Sequence, residues 1–249
     1  MPSPYQALPE EEWLMKTQHL VESHPLDFET IKAVSLKCWK TLWSTTVGED
    51  KLAINLSELD IPATIVGYFF EKLFAKELEL INPKIWRGGR SKEEKDIVYI
   101  PDNSYSLEIK SSGQMGDKIF GNRSYGQSVE NIELEKKEKS GYYITVNFYK
   151  QSLNLIRFGW IDHSDWKAQK SETGQAAGLE TKVYKYKLIK IPGDYQLNAP
   201  VGILNGVGPI TLDIFNQENI LTIQDLKNYQ GCNEKILKFQ KKLDDYNFS

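Results

Sequence analysis

Apolar residues recur at helical spacing over the first third of the chain and change to strict alternation near residue 96. Residues 10–23, EEEWLMKTQHLVES, read as a helix whose acidic first turn complements the macrodipole, and Pro25 ends it. Asp27 is placed to cap a second helix from Phe28, with Ile31, Val34, Leu36, Cys38, Trp39 and Leu42 on its apolar face. A third helix opens at Pro62 and packs through Ile65, Phe69 and Leu73, with Phe70 and Phe74 beside them. Glu71 lies in that apolar company.

Two alternating runs then flank a Pro-Asp-Asn-Ser turn at residues 101–104, which predicts a hairpin. YYITVNFYK and LNLIRFGWID predict two more strands joined near Gln151. Residues 164–181 read as a long polar loop, a candidate lid or DNA wrap. KVYKYKLIKIPGDY spaces Lys182, Lys185, Lys187 and Lys190 as a basic strand; tracking a nucleic-acid backbone and guarding a sheet edge are both open. The charged segment SVENIELEKKEKSG is expected to be solvated, and EKILKFQKKLDDY to be a capping helix with Ile236, Leu237 and Phe239 inward.

A chain of 249 residues, 40% hydrophobic and 26% charged, is enough for one substantial core with a small appendix. The lack of an apolar run of transmembrane length and of a basic, apolar leader predicts a cytoplasmic protein without a membrane partner. Cys38 and Cys232 are too few for a disulfide framework or zinc knuckle, and His19 and His24 have no third histidine nearby. Asp162-His163 has no nucleophile motif beside it and reads as a strand-end turn. A net charge of −3 weighs against a general nucleic-acid binder but leaves room for one basic face.

The chemistry concentrates in residues 94–113, EKDIVYIPDNSYSLEIKSSG. Side chains two apart on a strand share a face, so Glu108 and Lys110 point one way and Leu107 and Ile109 the other. The hairpin brings Asp96 near them, and two carboxylates with an amine suit Mg²⁺-assisted phosphodiester hydrolysis. An isolated Glu-x-Lys triplet is common; what raises it here is an acid on the preceding strand, a Gly/Ser-rich exit and Glu71 on the preceding helix. Asp102 in the turn is the rival first acid. Arg87 and Arg90 on a glycine-rich loop suit phosphates or base edges, with a plain solvated loop as the competing account. After the site, Gln114, Asn122, Arg123 and Gln127 include the types that read adenine and guanine, and Ser111 lies at the exit.

Asp96 followed by Glu108-Ile109-Lys110 resembles the PD-(D/E)xK nuclease signature, and with the helices before it the chain is similar to the ScaI-type group of Type II restriction endonucleases. Lys95 stands where the signature name has proline. Leu204-x-Gly206-Val207-Gly208-x-x-Thr211 resembles a helix-hairpin-helix, whose backbone N–H groups grip a DNA phosphate. The resemblances imply an α/β (α+β) restriction-endonuclease-like core over residues 1–195, with a mixed sheet flanked by helices, and a helix-hairpin-helix region over 196–249. They imply Mg²⁺ on Asp96 and Glu108 with Glu71 as a further ligand, and Lys110 assisting the attacking water. They further imply a homodimer cutting double-stranded DNA at a short palindrome within a restriction-modification system, leaving 5′-phosphate and 3′-hydroxyl ends. A cognate methyltransferase would act on the same sequence without required contact. A structure-specific repair or recombination nuclease and a non-catalytic DNA-binding protein are the alternatives.

Overall fold

A computed structural model describes residues 2–122, 139–168 and 176–243. In chain order, α1 (Trp13–Glu22) and α2 (Phe28–Trp43) precede a small ribbon, β1 (Thr46–Val47) with β2 (Ile54–Asn55), and the long α3 (Ala63–Ile81). Strands β3 (Trp86–Gly88), β4 (Ile97–Tyr99), β5 (Leu107–Ser112) and β6 (Phe120–Asn122) follow. Next come β7 (Gly141–Tyr149), β8 (Ser152–Ile161), β9 (Trp166–Ala168), β10 (Ala176–Leu179), α4 (Thr181–Tyr186) and β11 (Leu188–Ile191). Three helices close the described chain: α5 (Pro209–Gln217), α6 (Ile223–Lys227) and α7 (Glu234–Lys242).

The main sheet has six strands in the order β11-β8-β7-β5-β4-β3, and β5 with β7 is its parallel pair. Register divides its residues between two faces. Leu107 and Ile109 lie beside Tyr142 and Ile144, which lie beside Trp160 and Phe158. All six belong to the principal core, with Val34, Trp39, Phe70 and Phe74 from the helices. The other face carries Glu108, Lys110, Tyr143, Thr145, Asn147 and Arg157. A second sheet, β6-β10-β9, and a smaller cluster of Tyr143, Ile161, Trp166, Ala177 and Val183 belong to this other side. Apolar residues from Leu197 to Leu243 form a third cluster drawn from the C-terminal segment alone.

The N-terminal helices form as their sequence predicts, and the Asp27 side chain accepts from Thr30 N–H at 2.7 Å. Two faces differ in detail. On α2, Ser35 is buried and Leu36 is 38% exposed, because the inward stripe runs 31-35-38-42. On α3 the buried stripe is Val66, Gly67, Phe70, Phe74, Ala75 and Leu78, leaving Ile65 and Phe69 exposed. That is the predicted face turned by one residue, about 100°. Gly67 favours the choice: a Cβ there would meet the Ser111 hydroxyl in its present rotamer, so glycine eases the close approach of the helix to β5.

Three loop and strand readings change. The polar stretch of residues 164–181 contains β9 and β10, which pair with each other, and β10 also pairs with β6. The basic strand divides into α4 and β11, and Lys187 is buried rather than presented to a ligand. Finally, the helix expected before the glycine turn is one 3-10 turn, Val201–Ile203, entered from Pro200 in an extended conformation. The charged segment 128–141 lies outside the described residues up to 138.

Candidate active site

The site forms where β4 and β5 part. Ile97 pairs with Leu107, and beyond that point the Ile109 N–H is taken by the side chain of Asp96, Oδ2 accepting at 2.9 Å. A carboxylate therefore replaces a ladder carbonyl and is drawn against the peptide between Glu108 and Lys110. Asp96 is held in turn through its own backbone, its carbonyl accepting from Gly89 N–H at 3.0 Å. A Cβ on Gly89 would collide with the Lys95 carbonyl, so the glycine permits this closure.

Glu108 is fully buried. Lys110 Nζ lies 3.2 Å from Glu108 Oε2, 3.2 Å from the Ile109 carbonyl and 3.8 Å from Asp96 Oδ2. Two carboxylates and a carbonyl thus converge on one positive charge; alternation predicts the shared face of Glu108 and Lys110, and the hairpin the approach of Asp96. All three donors are hard oxygens, the chemistry that Mg²⁺ prefers, and two carboxylates are as many as it usually takes from protein. Asp102 is excluded as first acid: it is exposed and caps the turn at Asn103–Tyr105, accepting from Ser104 N–H at 2.9 Å.

Glu71 stands apart from this convergence. Its helix crosses the opposite face of the sheet, Gly67 over Ser111 and Ala75 near Gly88. Among the described residues no group of three or more His, Cys, Asp or Glu is placed to hold a metal. Glu71 pairs with Lys72 at 2.7 Å. That bond is the main reason the Lys72 ammonium titrates above its ordinary value, and the charge of Asp96 adds to it.

The RGGR loop has a structural task. Arg87 makes a two-pronged ion pair with Glu94, whose carboxylate also accepts from the Arg90 N–H at 2.7 Å. Arg87 foremost holds the Glu94 carboxyl down at about 2. Arg87 is thereby committed to the β3–β4 hairpin that carries Asp96, whereas Arg90 is exposed. Gln114 and Asn122 are exposed as well. Ser111 is tucked beneath Gly67, since alternation puts it on the Ile109 face. Arg123 and Gln127 lie outside the described residues. Gly206 adopts φ +86°, Gly208 caps α5, and Thr211 is buried in its first turn with its N–H on the Gly208 carbonyl.

Sequence reasoning passed over four buried polar residues near the site. Lys95 donates to the Ser140 carbonyl at 2.9 Å and lies 5.7 Å from the Tyr143 ring, tying the start of β4 to that of β7. Arg157 donates to Asn147 Oδ1 at 2.9 Å and to the Asp117 carbonyl at 2.7 Å, while Asn147 donates to the Lys118 carbonyl at 3.0 Å. Burial pulls the Arg157 guanidinium below its usual range, against the charge of Asp117. Thr145, level with Lys110, buries Oγ1 without a protein partner among the described residues. The available signal was a cation and two polar side chains in otherwise apolar strands.

A model of the ScaI restriction endonuclease family matches residues 3–192. The chain is 38% identical over 197 residues to a Type II restriction enzyme ScaI of Streptomyces caespitosus, a match covering 76% of this chain and 84% of that one. No solved structure gives a significant match.

Proposed function

The chain belongs to the ScaI restriction endonuclease family, making it a Type II restriction endonuclease, and from that membership we propose Mg²⁺-dependent cleavage of double-stranded DNA at a short palindrome. The observation that carries the proposal is the convergence of Asp96, Glu108 and the Ile109 carbonyl on Lys110 Nζ. Asp96 and Glu108 hold the ion, with the carbonyl beside them. When bound, Mg²⁺ supplies Lewis-acid polarisation of the phosphoryl group and activation of water.

The chain's own groups do the rest. Lys110, 18% exposed at its side chain, turns its ammonium from Glu108 toward the reacting phosphate, where it orients water and offsets charge developing on phosphorus. Glu71 acts as a positioning residue by fixing Lys72 in the field of Asp96. The Gly206–Gly208 turn and the N-terminus of α5 supply backbone N–H groups for a DNA phosphate, as a helix-hairpin-helix does. Arg90, Gln114, Asn122, Arg123 and Gln127 furnish the DNA-facing side chains. Residues 1–195 form the nuclease core and 196–249 the anchoring region. Cutting both strands of a palindrome calls for a two-fold homodimer. The setting is a cytoplasmic restriction-modification system, in which a methyltransferase protects the same sequence without contacting this chain.

Plasmid digestion with Mg²⁺ or with EDTA, followed by end sequencing, tests this. Discrete fragments with 5′-phosphate ends at one palindrome are expected with Mg²⁺ alone. Cutting that follows DNA structure instead of sequence would replace the restriction assignment, and cutting undiminished in EDTA would remove the metal.

A further inference from the structure

Residues 113–119 link the catalytic strand β5 to β6, and three side chains hold their far end. Three successive carbonyls each accept from a different element: Asp117 from Arg157 Nη2 at 2.7 Å, Lys118 from Asn147 Nδ2 at 3.0 Å and Ile119 from the Tyr184 hydroxyl at 3.3 Å. The same hydroxyl accepts from the Ile119 N–H at 2.8 Å. Arg157 Nη1 donates to Asn147 Oδ1 at 2.9 Å, and the Tyr184 ring centroid lies 5.1 Å from Arg157 Cζ, so the three side chains also hold one another. Arg157 is 1% exposed. Burying a cation is costly, and well-packed apolar side chains in its place are often as stabilising. The arrangement therefore points to placement of the loop more than to stability.

The clamp is tied to the site through the sheet. Lys110 lies beside Thr145 and Thr145 beside Arg157, while Asn147 lies beside Ser112, the last residue of β5. The loop thus has two fixed ends, Ser112 in the catalytic strand and the carbonyls of 117–119. Between them Gly116 takes φ +130°, a conformation that side chains rarely adopt, and leads the chain into the clamp. Gln114 and Met115 stand exposed in the intervening span. Met115 Sδ lies against Gly202, in the turn that leads to Gly206 and Gly208. Gln114 is thereby set relative both to the catalytic strand and to the turn proposed for a DNA phosphate.

We propose that Arg157, Asn147 and Tyr184 are positioning residues for sequence discrimination: by fixing the backbone at 117–119 they hold Gln114 at a set distance from Lys110, so the base it reads lies at a set step from the bond cut. A glutamine amide suits adenine through one donor and one acceptor. The assignment deepens the nuclease reading and rests on it. The test measures single-turnover cleavage of a duplex carrying the sequence mapped by plasmid digestion, and of duplexes in which each base pair is replaced in turn, at a temperature where every variant is fully folded. Tyr184→Phe keeps the ring beside Arg157 and removes only the hydroxyl. It lowers the preference for the mapped sequence about tenfold at one base pair. Gln114→Ala lowers it at the same pair, and adding Tyr184→Phe to Gln114→Ala lowers it no further. Asn147→Asp, which keeps the acceptor for Arg157 and loses the donor to Lys118, gives the same readout should Tyr184→Phe fail to fold. An equal loss on every duplex, unchanged preferences, or a change at a pair that Gln114→Ala leaves alone overturns the assignment while the nuclease stands. Absence of Mg²⁺-dependent cutting by the native chain overturns the nuclease reading, and this role with it.

Discussion

Two clusters in this molecule use the same three charges, a lysine and two carboxylates, to opposite ends. Lys187 Nζ bonds Asp162 Oδ2 at 2.8 Å and both oxygens of Asp165 at 2.8 and 2.9 Å. The rings of Tyr5 and Trp13 close over it at 4.3 and 4.5 Å. The carboxylates are engaged further: Asp162 accepts from Ser3 Oγ and Trp160 Nε1, and Asp165 from the Asp162 N–H. Hydrogen-bonding capacity is consumed within the fold, and the cluster clamps the N-terminal segment to β8. Around Lys110 the contacts lengthen to 3.2 and 3.8 Å and the lysine keeps a path to solvent. Identical charges thus lock one region and, in the other, sit looser at an opening between strands, where we place the proposed cleavage chemistry.

The sharpest way to break this comparison is at the looser cluster. Glu108→Gln should lower cleavage on the order of 10³-fold or more while DNA binding survives, because the cation-holding charge is lost. Mg²⁺ should also cease to raise the Tm of that variant. A decrease below about tenfold in a single-turnover assay would remove Glu108 from the role.

Exchanging one cation in each cluster separates lock from site. Lys187→Met leaves two buried carboxylates uncompensated and should cost about 3–5 kcal/mol in urea unfolding, with the folded fraction still cutting normally. Lys110→Met should do the reverse, losing about 10²–10³-fold in cleavage with DNA binding retained. Matching activity losses in the two variants would erase the distinction.

His24 offers a pH test of the apolar face. Leu26 N–H donates to Nδ1 at 3.0 Å, so Nε2 carries the proton and donates to the Tyr105 carbonyl at 3.0 Å. Burial lowers its pKa from 6.5 to about 4. Between those values the unfolded chain binds a proton that the native one refuses. Stability present above pH 6.5 is therefore lost as pH falls, by about 1.4 kcal/mol per unit and about 3 kcal/mol in total. Urea titrations from pH 7 to 4.5 should show that slope, and His24→Gln should flatten it.

Smaller effects mark the site's edge. Glu71→Gln, which loosens Lys72 without touching Asp96 or Glu108, should lower kcat by about tenfold at most. A complete loss would make Glu71 a ligand. Asp102→Asn should leave cutting unchanged, since that carboxylate only caps a turn.

The candidate site was largely legible because its logic is local. Alternation places Glu108 and Lys110 on one side of β5, and a short turn returns the chain near Asp96. Glu71 lay beyond that logic, because helical spacing brings a residue to the right helix without saying which face of the sheet that helix covers. Ser111 has the parity of Ile109, which already assigned it to the side beneath Gly67. Arg157 and Asn147 went unread because nothing near them in sequence shows that they hold a loop some 30 to 40 positions earlier.

Local covalent order was enough for the Asp27 cap, the helix-breaking Pro25, the paired strands around Gln151 and the shared face of the acid and amine. These depend on backbone geometry and on neighbours a few residues away, so the information is contiguous. Packing alone decided which stripe of α3 turns inward, because the helix is apolar on more than one side and Gly67 against Ser111 favours the orientation. Packing also turned Lys187 inward between Asp162 and Asp165, and opened β4 from β5 so that the Asp96 carboxylate could take the Ile109 N–H. Each of those outcomes couples residues more than ten positions apart, and pairwise contacts at that separation exist only once the sheet and its helices have assembled.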